Sequence, residues 1–206
     1  MSRRAIAVAV GILFFVQMAT YMLGASLIQA FEDGNTAREP LTFGVLLTMC
    51  SGIAVVGIGL LMYRVLKDVD RRWAIWYPVL RIVEFAASAA FGVYLVTQEQ
   101  VVPNQHLWVY LPTAVGGLIL TSLLFVSRLV PRPLAVLGIA GYGALLLGVP
   151  LDLVGILDMG EGPGLALLAP GGLFEFVFFP LWLIVKGFSW PAPVVSHRSP
   201  ALAATS

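Results

Sequence analysis

An all-α integral membrane protein, a single bundle of six transmembrane helices, is the fold this sequence predicts. Three observations carry the prediction. Six apolar stretches long enough to cross a bilayer fill nearly all of the 206 residues. The chain is 59% hydrophobic and 11% charged, with a mean hydropathy of +0.93, too little polar surface to cover a globule in water. Its basic residues also fall on one side of the six crossings. A helix needs about 20 residues to cross about 30 Å of hydrocarbon. Barrel strands are excluded, because these runs are too long and too uniformly apolar.

The first run, 5–31, follows Arg3 and Arg4 and stops at Glu32-Asp33-Gly34. An export-signal core is about 7–15 residues long. This run is far longer, so a membrane helix anchored by the two arginines is expected instead. The second run, 41–63, ends before the charged stretch from Lys67 to Arg72. The third, 74–97, starts among Trp73, Trp76 and Tyr77, residues suited to a membrane interface. The fourth, 107–127, starts beside Trp108 and Tyr110 and ends at Arg128. The fifth, 133–157, follows Pro131-Arg132-Pro133, and the sixth, 169–187, follows a glycine-rich turn and closes on Lys186. Residues 1–188 thus form one domain, and 189–206, rich in Pro, Ala and Ser, are expected to be a disordered cytoplasmic tail. Pro78, Pro112, Pro150 and Pro180 lie inside spans and should kink them. The glycines of spans two and five read as close packing, since no strand precedes them as a phosphate loop would need.

Orientation follows from charge. Arg3, Arg4, Arg64, Lys67, Arg71, Arg72, Arg128, Arg132, Lys186 and Arg198 share one side. Arg38 stands alone among the basic residues of the other side, with Glu32, Asp33, Glu39, Glu99, Asp158 and Glu161. The positive-inside rule then puts both termini in the cytoplasm. A net charge of +1 gives no pull toward nucleic acid. One cysteine, Cys50, allows no internal disulfide, and His106 and His197 are far apart in sequence, so neither a metal site nor a cofactor is expected.

Four charged residues interrupt the apolar runs: Arg81, Glu84, Asp152 and Glu175. The helical rise places Arg81 about 10 Å and Glu84 about 15 Å in from the cytoplasmic edge of span three. Asp152 and Glu175 lie about 8–9 Å below the outer edges of spans five and six. A charge at the centre of a span costs roughly 2.5–3.5 kcal/mol on insertion scales, so these groups should face inward and pair. Arg81 and Glu84 are three apart and can meet on one helix. One base then stands against three acids. Glu175, Asp152 and Glu84 are the candidate acid–base residues. At helical spacing, Gln17 and Tyr21 in span one, Arg81 and Phe91 in span three, and Phe179 and Trp182 in span six form part-polar, part-aromatic stripes and are the candidate ligand-binding residues. The first expectation is an intramembrane site for a small apolar or amphiphilic, lipid-like molecule. A second is an enzyme that uses a protonated carboxyl as general acid on an isoprenoid or similar lipid. An accessory subunit or a proton-coupled transporter follows. Membrane lipids are partners in every case.

The run from Phe174 to Phe188, with Phe174-Glu175, Leu181-Trp182-Leu183 and Lys186-Gly187-Phe188, resembles the closing signature of a bacterial membrane family catalogued as domain of unknown function 4386. The run Leu129-Val130-Pro131-Arg132-Pro133 is similar to that family's link into its fifth helix. The resemblance extends from span one to Gly187. It implies about six helices in a bacterial plasma (inner) membrane, and it implies no reaction.

Overall fold

The computed structural model describes residues 2–34, 38–159 and 162–189. Expectations placed on other residues, among them those for Glu161, His197, Arg198 and the tail from 190 onward, lie outside the described residues. Among the described residues, six helices are long and apolar enough to cross a membrane: Arg3–Glu32, Arg38–Leu66, Arg71–Gln98, Gln105–Ser127, Arg132–Leu153 and Gly164–Val185. The chain is an all-α bundle. The spans are built from α1 (Arg3–Glu32), α2 (Arg38–Leu66), α3 (Arg71–Ala74), α4 (Trp76–Gln98), α5 (Gln105–Ser127), α6 (Arg132–Leu153), α7 (Gly162–Gly172), a π-helical turn (Leu173–Phe178) and α8 (Phe179–Val185).

Three breaks depart from uniform spans, and each has a local cause. Span three opens with the short α3, capped by the Asp70 carboxylate, which accepts from the N–H groups of Arg72 at 2.8 Å and Trp73 at 3.3 Å. The helix is interrupted at Ile75 because Pro78 has no N–H to offer the Ala74 carbonyl. Span five ends at Leu153, not at 157. Gly155 takes φ +71° and its N–H reaches the Asp152 carbonyl at 2.8 Å, a left-handed glycine stop. The apolar composition of 154–157 gave no hint of that turn. Span six begins at Gly164, within α7, not at 169, and widens between Leu173 and Phe178, where the Phe179 N–H bonds back five residues to the Phe174 carbonyl. Pro180 again explains it: a proline in a regular helix would press on the carbonyl of Phe176, and a wider turn relieves that contact.

Each span packs on the next in sequence, and α8 returns to α1, so the six make a closed ring. α1 runs against α8 and the π turn, whereas α7 packs on α6. Spans one, two, four and six meet at the basic face. There the Arg4 guanidinium donates to the last carbonyls of α8, at Leu183, Ile184 and Val185. These carbonyls have no partner within their own helix, and a cation suits the negative end of the helix dipole. Arg3 pairs with Asp68 at 3.4 Å, and the Ser189 N–H reaches the Leu129 carbonyl at 2.8 Å. At the opposite face Arg38 pairs with Glu99 at 3.5 Å.

The packed core lies mainly in the half nearer the basic face. Val10 and Phe14, Ile58 and Met62, Tyr77, Leu120 and Leu124, Phe174, Phe179 and Leu183 are all buried there. Ile12, Met22, Ile53, Val126, Leu147 and other large apolar side chains point outward and stay exposed, as a surface solvated by lipid requires. The other half of the bundle is more loosely filled, and the candidate site lies there.

Candidate functional site

A cavity of about 310 Å³ lies within the ring, walled by residues of all six spans. Gln17 and Tyr21 come from α1, Ser51 and Gly52 from α2, Glu84, Phe85 and Ser88 from α4, Tyr110 and Thr113 from α5, Tyr142 and Leu145 from α6, and Glu175 and Phe176 from the π turn. A second cavity of about 220 Å³ shares Tyr21, Thr48, Ser88, Val109 and Tyr110 with the first. It continues past Phe91 to Gln29, Gln105 and His106 near the acidic face. Tyr21 sits on both walls and is 48% exposed.

Two polar clusters border the deeper cavity. In the first, Arg81 Nη1 donates to Glu84 Oε2 at 2.7 Å. Arg81 is only 1% exposed, and its Cζ lies 5.2 Å from the centre of the Tyr77 ring, a cation–π contact. Its Nε and Nη2 and the Tyr77 hydroxyl are buried without hydrogen-bond partners. Arg81 therefore stands behind Glu84, and Glu84 faces the hollow. In the second cluster, Glu175 is 8% exposed and accepts from Tyr142 Oη at 3.1 Å and from Gln17 Nε2 at 3.3 Å. Spans five, six and one thus converge on one carboxylate. Gln17 Oε1 is buried with no partner, and the Gln17 carbonyl accepts from Ser51 Oγ at 3.1 Å.

Local sequence explains how these groups are held. The π turn lets Glu175 and Phe176, adjacent in sequence, both reach the wall. Gly117 makes room for Tyr142, for a Cβ there would come within 2.4 Å of the tyrosine ring. Phe174 stacks on Phe179 at 4.9 Å and meets the Tyr142 ring edge-on at 6.0 Å, which closes the cavity floor toward the basic face.

The structure places the other sequence candidates elsewhere. Asp152 does not reach the cavity. Its Oδ2 accepts from the Met159 N–H at 2.7 Å and ties down the loop after α6. Phe91 lines only the shallower cavity. Phe179 is enclosed in the core, edge-on to Phe14 at 5.5 Å. Trp182 packs against the core and its indole N–H is buried without a partner. Sequence reasoning did not single out Tyr142, Ser51, Phe85 or Phe176. The one signal for Tyr142 was a phenol among the closely spaced glycines of span five. Among the described residues no group of three or more His, Cys, Asp or Glu gathers to hold a metal ion.

Residues 93–187 match the family described as Domain of unknown function (DUF4386). Over that stretch, a little under half of the chain, the sequence is similar to the DUF4386 family. The DUF4386 region begins within α4 and takes in the last three spans, so Asp152, Tyr142, Glu175, Phe179 and Trp182 lie inside it. Gln17, Tyr21, Arg81, Glu84 and Phe91 come before it, although the resemblance read from the sequence extended to span one. No curated protein and no solved structure matches the chain.

Proposed function

We propose that this protein binds a small amphiphilic molecule in the cavity between its six spans, as a multi-pass protein of the plasma membrane with both ends in the cytoplasm. The observation that supports the reading best is the composition of the wall. Two carboxylates, an amide and several hydroxyls face a hollow whose remaining lining is aromatic and aliphatic. A few convergent polar groups in an otherwise apolar pocket is the usual form of a small-molecule site. Polar groups kept at membrane depth are costly, which favours a use for them. Glu175 and Glu84 would orient the polar end of the ligand, and Phe85, Phe176 and Tyr110 would contact its body.

Ser88 lines both cavities, so Ser88→Phe should fill their junction. Native mass spectrometry from lipid nanodiscs should find a small molecule retained by the parent protein and lost in Ser88→Phe, with the two proteins equally stable to heat once stripped of lipid extract. If lipid extract neither leaves an adduct on the parent nor stabilises it relative to Ser88→Phe, the reading fails. For orientation, Ser2→Cys in a Cys50→Ser background should react with an impermeant maleimide only after the cells are opened. Labelling of intact cells would reverse the assignment.

A further inference from the structure

Hydrogen-bond accounting around the cavity narrows the chemistry of its occupant. The donors nearest the two carboxylates are committed, and the hydroxyls of Tyr21, Ser88 and Tyr110 are the wall's remaining ones. Gln17 Nε2 and Tyr142 Oη are both turned onto Glu175. Arg81 Nη1 is turned onto Glu84 from behind the wall. The hydroxyls of Thr48, Ser51 and Thr113 donate to main-chain carbonyls of Val45, Gln17 and Val109. Acceptors remain in the free lone pairs of both carboxylates, and Gln17 Oε1, enclosed beside them, has no partner. The amide turns its NH₂ end to Glu175, whose Oε1 accepts from it, and this leaves the amide oxygen as the free end. The local charge leans the same way. Arg81 answers Glu84, and Glu175 is bonded only by neutral groups, so the cluster carries one more carboxylate than cation.

We infer that the ligand is an organic monocation: an ammonium head with an aryl or short alkyl body. This rests on the cavity being the binding site. The ammonium supplies charged N–H donors to Glu175, whose partners in the wall are all neutral, and a positive charge beside it. Aromatic faces of Phe85, Tyr110 and Phe176 border the same space and are attracted to a cation while packing against its apolar part. An anion would meet two carboxylates with few donors left for it, and a neutral alcohol would leave the extra charge unanswered. The size is suitable too. The hollow of about 310 Å³ is twice the volume of an engineered cavity of about 150 Å³ that takes benzene. A ring with a short amine chain therefore fits.

Phenylbutylamine, phenylbutanol and phenylbutanoate share one body and differ at the head. Their binding to the protein in neutral-lipid nanodiscs is compared by calorimetry at neutral pH, with Ser88→Phe nanodiscs subtracting partition into lipid. The amine should bind about tenfold or more tightly than the alcohol, and the carboxylate least. Glu175→Gln should erase the difference between amine and alcohol, and Glu175→Asp, which keeps the charge, should restore the preference. If the alcohol or the carboxylate binds as well as the amine, the cation assignment is overturned and the cavity remains a site. If none of the three binds better to the parent than to Ser88→Phe, the binding site itself is refuted.

Discussion

Arg81 shows how much one side chain can depend on another at membrane depth. Its guanidinium is enclosed, and the bond to Glu84 is the only hydrogen bond it makes among the described residues. Removing one member of such a pair leaves the other charge buried alone, which costs about 3–5 kcal/mol. Arg81→Met should lose stability on that scale in denaturant titrations of the detergent-solubilised protein. The double variant Arg81→Met with Glu84→Met should recover most of the loss, because two apolar side chains of similar size leave no uncompensated charge. Tyr142→Phe tests the other cluster. It deletes one hydrogen bond to a carboxylate, worth about 1.5–3 kcal/mol, and keeps the ring over Gly117. The Arg81–Glu84 pair was legible in the sequence because a spacing of three fixes proximity on a helix. The bond between Tyr142 and Glu175 was not, because a tyrosine among glycines reads equally well as packing and nothing local says what its hydroxyl meets.

At the scale of single elements, the sixth span carries the most information. Its π turn places Glu175 on the cavity wall, and Pro180 is the physical cause of the turn. Pro180→Ala should let the span settle into a regular helix. Losing the extra residue of the wide turn shifts the register above it by one position, which is about 100° of rotation at 3.6 residues per turn. Glu175 would then swing away from Tyr142. A double-mutant cycle measures this. Tyr142→Phe should cost its full amount in the parent and close to nothing in the Pro180→Ala background. The presence of six spans was plain from composition, since each run greatly exceeds what a soluble helix would hide. Where they break was less plain. Asp152 looked like part of the site because the residues after it are apolar, yet the helix stops one residue later and the carboxylate holds the loop that follows. Hydropathy cannot separate a last helical turn from an apolar loop laid back over the bundle.

For the whole molecule, the division of labour runs along the bundle axis. The half near the basic face is tightly packed and anchors the ring, and the other half is hollowed. The seam between α1 and α8 closes that ring. Gly11 permits it, since a Cβ there would fall 2.6 Å from Ile184 and 2.8 Å from the Pro180 carbonyl. Gly11→Leu should therefore cost about 1–3 kcal/mol through overpacking, seen as a lower thermal midpoint, although it touches no residue of the cavity wall.

That seam joins the first of the six spans to the sixth. Spans two to five can dock in the order in which they leave the ribosome, each against a neighbour already in the bilayer. Span one waits with one flank open until α8 emerges and Arg4 finds its carbonyls. The Glu175 cluster draws on spans one, five and six, so it too forms only at that final step. A nascent chain that stalls before Leu173 leaves Gln17 and Tyr142 without their acceptor.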